Sequence, residues 1–395
     1  MKISHRLALV AASTLAMMAA TTAFADDFHG FDPANFNGAM LSADQLKAMV
    51  ADAVKVTPPK NGKNYVFGFA NLQRDIPFGV EVEKGIQQNA DAAGVQLQIA
   101  DNRLDGPTAL ANAQSFVQRN VDYVIEFQTD VNFGPQVMAV FKPDNIKVTA
   151  IDIPMPGATF FGANNPKSGF MGGSYLATAA VAKFGADEVA KGYFVDGVLP
   201  QSGAIPAMRT EGQVAGFKSV LPNFPDAQMI TFDSKNTMQE SFTQMGNVLG
   251  RIPPGVPIMA TGINDQVGLG IIQAVKQAGR TADLVVTGNG ADETKALATE
   301  PNLVASTGYF PERYGNFLIP MALETLAGKT LPPAVLMTHY MITKSNVCKY
   351  YPDFKCTADD PPVNYTFPQD AFAKWLKTLA TEPALKGYEN LIPSN

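Results

Sequence analysis

The first stretch whose side chains could do chemistry follows a short apolar run. Residues 65–70 are apolar or small, which is typical of a strand that is buried on both faces. Pro77 then presets the backbone for the first turn of a helix. Because ligands of open α/β sheets bind at the carboxyl ends of strands, we expect a ligand to contact the loop between this strand and this helix. That loop and the helix start supply Asn71, Gln73, Arg74, Asp75 and Phe78.

The chemistry of this loop favours a hydroxylated small molecule. No GxGxxG or GxxxxGK[ST] motif is present, so nothing indicates a cradle for the phosphates of a nucleotide cofactor. Carboxylates and amides hydrogen-bond hydroxyl groups, and an aromatic ring can cover the apolar side of a sugar ring. We therefore predict that Asp75 and Phe78 bind the ligand, with a place in the core as the alternative for Phe78.

Two charged residues are stronger candidates for ligand contact. Asp152 follows the apolar run 148–151, where its carboxylate could accept hydrogen bonds from two hydroxyl groups; a turn or helix-cap role is the alternative. Arg209 stands near the start of a predicted helix, where its charge opposes the helix dipole. Its planar fork could bind a ring oxygen and a neighbouring hydroxyl group.

Four further residues complete the predicted site. Asn264 ends a predicted strand, where ligand contact and capping of the next helix are both open. Asn289 stands between two glycines, and a turn with positive φ is the alternative there. Gln128 and Tyr309 are included for their placement along the chain.

The elements that must position these side chains alternate regularly. Strands are predicted at 65–70, 95–100, 123–127 and 148–151, with helices between them. The same alternation restarts at residue 192, after a crossover rich in Pro and Gly. Alternating strands and helices imply a parallel sheet with helices on both faces. We predict two similar doubly wound α/β lobes with the ligand in the cleft between them.

The chain outside this alternation adds an extension and a return segment. Ser42 and Gln45 have the spacing of a capping box, so residues 26–62 are predicted to be an N-terminal helical extension with a linker. One strand is predicted at 334–342 and a final helix at 368–379. The predicted lobes comprise residues 63–160 plus 311–340, and residues 161–310 plus 341–395.

The N-terminus predicts an exported protein. Lys2 and Arg6 precede an apolar run, and Ala23-Phe24-Ala25 fits a cleavage site after Ala25. The run is short and rich in Ala and Thr, which disfavours a membrane anchor. Without residues 1–25 the chain has 28 basic and 36 acidic residues, since two of the 30 basic ones are lost. That acidity disfavours nucleic acid and anionic lipid as partners.

Cys348 and Cys356 lie eight residues apart in a polar loop. An isolated pair at this spacing in an exported protein predicts a disulfide. A metal site is the alternative. The chain has only three histidines, one of them in the predicted signal peptide, which disfavours that alternative, and we predict no metal and no cofactor.

The order of these elements, together with several motifs, resembles the type I periplasmic sugar-binding proteins of ABC importers. The similarity covers roughly residues 64–343 and is greatest to the ribose-, galactose- and xylose-binding branch. The motifs are Asp75-Ile-Pro-Phe78, Val148-Thr-Ala-Ile-Asp152, Asn164-Asn165, Met208-Arg209-Thr-Glu-Gly212, Gly262-Ile-Asn264-Asp265, Val286-Thr-Gly-Asn289-Gly290 and Tyr309-Phe310-Pro311.

The resemblance implies a ligand clamped between two lobes that three hinge crossovers join, near residues 159–162, 309–310 and 338–341. The family's binding positions then correspond to Asp75, Phe78, Asp152, Arg209, Asn264 and Asp265. This chain departs from the family pattern at other positions. Ile153 stands where some relatives have an arginine, Asn289 replaces an aspartate, and Tyr309 replaces an amide.

The resemblance implies a periplasmic solute-binding protein that captures a monosaccharide or related polyol by hinge closure and delivers it to a membrane ABC permease. A nucleoside or other small polar ligand, and a sensor that feeds a membrane chemoreceptor, are the alternatives. The sequence shows no Ser/His/Asp arrangement, no catalytic cysteine candidate and no nucleotide fingerprint, which disfavours an enzyme. We expect a monomer.

Overall fold

The computed structural model describes residues 27–366 apart from 34, 129, 333 and 358. The predicted signal peptide and the predicted helix at 368–379 lie outside the described residues. In the first part of the chain the elements are α1 (Ala43–Val56), β1 (Val66–Asn71), α2 (Pro77–Ala93), β2 (Gln96–Asp101), α3 (Gly106–Gln118), β3 (Tyr123–Glu126), α4 (Gly134–Phe141), β4 (Lys147–Ile151) and β5 (Thr159–Gly162).

The rest of the chain repeats this alternation and then returns. Its elements are α5 (Asn165–Phe184), α6 (Ala186–Val189), β6 (Tyr193–Val198), α7 (Ala204–Val220), β7 (Met229–Asp233), α8 (Met238–Leu249), β8 (Ile258–Gly262), α9 (Asp265–Gln277), β9 (Leu284–Gly290), α10 (Thr294–Thr299), β10 (Leu303–Gly308), α11 (Tyr314–Leu326), β11 (Ala334–Leu336), β12 (Tyr340–Thr343) and α12 (Val347–Tyr350).

Two six-stranded sheets organise the molecule, which confirms the predicted fold class. The first sheet has the order β11-β5-β4-β3-β1-β2 and is parallel throughout. The second has the order β12-β10-β9-β8-β6-β7, and only β12 runs antiparallel to its neighbour. In the first sheet Asn71 pairs with Asp101, and Glu126 with Ala150. The carboxyl ends therefore lie level, and the loops that follow them gather at one edge.

The prediction of a single strand at 334–342 is wrong. The chain forms β11 in the first sheet and β12 in the second, separated by residues 337–339. The apolar pattern continues across the break because Val335 packs in the core of the first lobe and Ile342 in that of the second.

The chain crosses between the lobes three times. The crossings lie at residues 163–164, 309–310 and 337–339, between elements of different sheets. The first crossing was predicted near residues 159–162, but these residues form β5, which pairs with β4 in the first sheet. The crossing therefore begins one residue later, at residue 163. The predicted lobe boundary between residues 160 and 161 falls inside β5, and the predicted boundary between residues 340 and 341 falls inside β12.

The N-terminal extension packs on the first lobe. Ser42 and Gln45 form the predicted capping box at the start of α1, with the Ser42 N–H donating to Gln45 Oε1 at 3.0 Å. Asn316 of α11 donates to the carbonyl oxygen of Gly38 at 2.8 Å, and the rings of Phe36 and Phe317 meet edge to face. The extension is therefore part of the first lobe's surface layer.

The segment after β12 is closed by a disulfide between Cys348 and Cys356. Its Tyr350 and Tyr351 rings lie against Phe310, which belongs to the second crossing. The loop thus contacts one of the three connections between the lobes. Among the described residues, no helix has both the length and the hydropathy that a membrane crossing requires.

Candidate functional site

A cavity of about 560 Å³, including the part open to solvent, lies between the carboxyl edges of the two sheets. We call the side chains from the first lobe the first wall: Leu72, Ile76, Phe78, Phe127, Asp152 and Ile153. We call those from the second lobe the second wall: Leu199, Ser202, Pro206, Arg209, Asn236, Ile263, Asn264 and Asn289. Tyr309 lines the cavity from the second crossing.

The structure brings six of the eight predicted ligand-binding residues to this cavity: Phe78, Asp152, Arg209, Asn264, Asn289 and Tyr309. Asp75 and Gln128 are not among its lining residues. Asp75 is exposed, and Gln73 Nε2 lies 3.4 Å from its Oδ1. Gln128 is buried, and its Oε1 accepts from the Asp130 N–H at 3.1 Å, so it belongs to the loop after β3.

Asp152 owes its position to the turn that follows β4. Its φ is 55°, a left-handed value that is uncommon for a residue with a side chain. Oδ1 accepts from the Ala163 N–H at 3.0 Å, and a Cβ on Gly162 would lie 2.3 Å from that oxygen. Glycine at 162 therefore makes room for the carboxylate. Burial raises the pKa of Asp152, while the charge of Arg209 opposes that rise.

Arg209 is buried in α7 and fixed on two sides. Nε donates to Asn165 Oδ1 at 2.9 Å, and Nη1 donates to the Ile263 carbonyl oxygen at 2.5 Å. The α5 and α7 backbones approach closely here, since a Cβ on Gly169 would lie 1.9 Å from the Arg209 carbonyl oxygen. The guanidinium lies 4.9 Å from the centre of the Tyr309 ring. The fork is thus pre-oriented toward the cavity before any ligand arrives.

Tyr309 and His339 tie the crossings to the site. The hydroxyl groups of Tyr309 and Ser168 lie 2.8 Å apart, and the Tyr309 and His339 rings are 4.6 Å apart. His339 Nε2 accepts from the Asn164 N–H at 2.9 Å. Burial lowers the pKa of His339 to about 3, so this imidazole is neutral at physiological pH.

Three amides form a chain that links the two lobes. Asn264 caps α9, with Oδ1 accepting from the Val267 N–H at 2.9 Å, and its Nδ2 donates to Asn236 Oδ1 at 2.8 Å. Asn236 Nδ2 in turn donates across the cleft to Gln73 Oε1 at 2.8 Å. Asn264 therefore caps α9 and also lines the cavity, so its capping role does not exclude contact with a ligand.

Asn289 lies within β9, not in a turn with positive φ, which belongs to the following Gly290 and Ala291. Its Nδ2 donates to the Gly262 carbonyl oxygen at 2.8 Å, and its Oδ1 is buried without a hydrogen-bond partner among the described residues. An acceptor left in this state is costly unless a ligand donates to it.

Sequence reasoning missed several lining residues. Asn236 follows β7 directly, so the rule that ligands meet strand ends could have found it. Leu72, Leu199 and Ile263 carry no signal in the sequence that separates them from core residues. Ile153, which the sequence marks only as a departure from the family pattern, lies in the first wall.

The arrangement suits a neutral ligand with hydrogen-bonding groups. One carboxylate and one guanidinium face the same cavity, so their charges offset each other. Across the described ranges, no group of three or more His, Cys, Asp or Glu side chains is placed to hold a metal ion.

Known proteins with related sequences bind solutes. A family profile described as a periplasmic binding protein domain matches residues 67–330. The ribose import binding protein of Bacillus subtilis is 23% identical over 303 residues, which are 73% of this chain and 93% of that protein. The corresponding protein of Escherichia coli is 26% identical over 260 residues, 64% of this chain and 82% of its own length.

Solved structures show the same fold. A Mycobacterium smegmatis protein in complex with β-D-fucofuranose has a TM-score of 0.62 and 20% identity, covering 73% of this chain and 94% of that one. The Caulobacter myo-inositol binding protein has a TM-score of 0.61 and 21% identity, covering 74% and 97%. Because the family profile spans well over half of its residues, this chain belongs to the periplasmic binding protein family.

Proposed function

We propose that this chain is an exported solute-binding protein that captures a monosaccharide or related polyol between its lobes and delivers it to the permease of an ABC importer. The observation that carries the proposal is the pair formed by Asp152 on the first wall and Arg209 on the second, which face one cavity. Offset charges with charge-assisted hydrogen bonds suit hydroxyl groups better than a charged ligand.

The relatives support this substrate class. They include ribose import binding proteins, and the structural neighbours hold β-D-fucofuranose and myo-inositol. Binding alone accounts for the arrangement, and we propose no covalent step and no enzyme activity. Export to the periplasm would also keep the Cys348–Cys356 disulfide oxidised.

Capture would proceed by closure of the lobes. A ligand that contacts both walls stabilises the closed state by its differential affinity for that state. Closure about the three crossings would then present a surface to the permease that depends on the ligand.

A thermal-shift panel of aldoses, polyols and nucleosides tests the proposal. A ligand that binds only the native state raises the midpoint temperature of unfolding. At a ligand concentration of 100 Kd it adds about 2.7 kcal/mol to the free energy of unfolding. We expect at least one sugar or polyol to raise it and titration calorimetry to give a one-to-one complex. A rise with nucleosides alone would show that the sugar assignment is wrong.

A further inference from the structure

The first wall has little capacity for hydrogen bonds. Five of its six side chains are apolar, and Asp152 is the one polar member among the described lining residues. Leu72, Phe127 and Ile153 are all less than a tenth exposed. A hydroxyl group placed against these side chains would lose its water without gaining a partner.

The amides of the second wall are mostly engaged with the protein. Asn264 uses its Oδ1 to cap α9 and its Nδ2 to bind Asn236. Asn236 uses its own Nδ2 for Gln73. These two amides therefore offer a ligand fewer free hydrogen-bonding groups than their residue type suggests.

The hydroxyl groups that line the cavity are also engaged. Ser202 Oγ donates to the Leu199 carbonyl oxygen at 2.7 Å, and Tyr309 shares a hydrogen bond with Ser168. Each keeps at most some acceptor capacity.

Three polar atoms among the described cavity-lining side chains have no hydrogen-bond partner in the protein. They are Asp152 Oδ2, Arg209 Nη2 and the buried Asn289 Oδ1. Arg209 and Asn289 bind the successive carbonyl oxygens of Ile263 and Gly262. Asp152 lies close enough for the charge of Arg209 to lower its pKa. The cavity thus has one polar corner, and most of the remaining lining is apolar.

We infer that the ligand carries its hydroxyl groups along one edge and hydrocarbon along the other, as in a deoxy sugar. This inference rests on the proposed function of the same cleft. Adjacent oxygens would meet the polar corner, while a methyl or methylene group would lie against Leu72 and Ile153. A fully hydroxylated sugar would place at least one hydroxyl group against the apolar first wall, where it finds no partner.

Matched pairs of sugars that differ by one oxygen test the inference. Titration calorimetry would compare 6-deoxy-D-galactose with D-galactose, L-rhamnose with L-mannose, and 2-deoxy-D-ribose with D-ribose. In the pair that binds most tightly, we expect the deoxy member to bind at least about tenfold more tightly, the discrimination that one buried group provides. A smaller preference, or the opposite one, overturns the inference and leaves the proposed function intact. Binding of none of these sugars and of no polyol overturns both.

A change in the first wall sharpens the test. Leu72→Asn adds an amide of similar shape, and Ile153→Thr is the second variant in case the first fails to fold. We expect either folded variant to lower the ratio of deoxy-sugar affinity to parent-sugar affinity about tenfold. Val80→Thr, on the exposed face of α2, is the control and should leave the ratio unchanged. An unchanged ratio in the folded wall variants contradicts the inference.

Discussion

The first and second walls of the cleft differ in how their side chains are held. The first wall consists mainly of apolar side chains that follow β1, β3 and β4 and pack on the core beneath them. The second wall presents a guanidinium and amides that are fixed by hydrogen bonds, as Arg209 and Asn264 show. One wall is shaped by packing, and the other by directional bonds.

This difference suggests separate roles in binding. Directional groups that are fixed before binding can select the arrangement of hydroxyl groups at small entropic cost. Apolar side chains gain most when closure removes them and the ligand from water. We therefore expect the second wall to orient the ligand and the first wall to stabilise the closed state.

The largest effect on affinity should come from the charged pair. Arg209→Ala and Asp152→Ala should each weaken sugar binding by about 2–5 kcal/mol, because each leaves a buried partner without its hydrogen bond or opposite charge. Titration calorimetry on folded variants measures the loss. Arg119→Ala is the matched control, since Arg119 is exposed at the end of α3. Unchanged affinity in both site variants would remove the site from this cavity.

A smaller effect should come from the first wall. Phe78 packs edge to face with Phe127, Tyr309 and Tyr314. Phe78→Leu keeps an apolar surface but loses the ring, so we expect affinity to fall by about 1 kcal/mol. Phe184→Leu, at the end of α5, provides a control. If Phe78→Leu cost as much as Arg209→Ala, the division of roles between the walls would be wrong.

Loss of the hydrogen bond between Asn236 and Gln73, which joins the lobes, should reduce affinity as much as Phe78→Leu does or less. Gln73→Ala removes the acceptor for Asn236 Nδ2, a bond available only when the lobes are close. We expect affinity to fall by about 0.5–1.5 kcal/mol and small-angle scattering to show a larger open fraction. Gln118→Ala, at the exposed end of α3, should change neither quantity. An identical scattering profile for Gln73→Ala would show that this bond does not stabilise closure.

The sequence could predict what depends on local pattern. The strands, the capping box at Ser42 and the alternation of two α/β units follow from periodicity and cap chemistry. The position of Asp152, Arg209 and Asn264 at the cavity could be predicted because strand ends and helix starts gather at one edge of a parallel sheet, whereas their contact with a ligand stays a prediction.

Long-range packing could not be predicted in this way. The apolar run at 334–342 gives no sign that its halves belong to different sheets. Asp75 and Gln128 stand at plausible positions, yet a side chain's direction out of a loop depends on neighbours far along the chain. The contacts of Tyr350 and Tyr351 with Phe310 depend on such neighbours too.

The contrast between the lobes continues beneath the walls, where each sheet buries one carboxyl group. Glu126 in β3 accepts from Asn102 Nδ2 at 2.9 Å through Oε1. Asp196 in β6 has no hydrogen-bond partner for either oxygen among the described residues. Burial raises the pKa of each group to about 8.

These carboxyl groups should affect stability and leave affinity nearly unchanged. Between about pH 4 and pH 8 the native state keeps a proton that the unfolded state releases, so this contribution to stability is lost as pH rises through 8. Asp196→Asn removes the titration and should reduce the fall in unfolding free energy across that range, by up to about 1.4 kcal/mol per pH unit. Glu126→Gln should also reduce this fall, but its amide must keep the hydrogen bond to Asn102. We therefore expect Glu126→Gln to raise the unfolding free energy at pH 8 by less than Asp196→Asn does. Urea unfolding at pH 5, 6.5 and 8 measures both slopes, and slopes equal to that of the parent protein would show that the two groups are ionised in the native state.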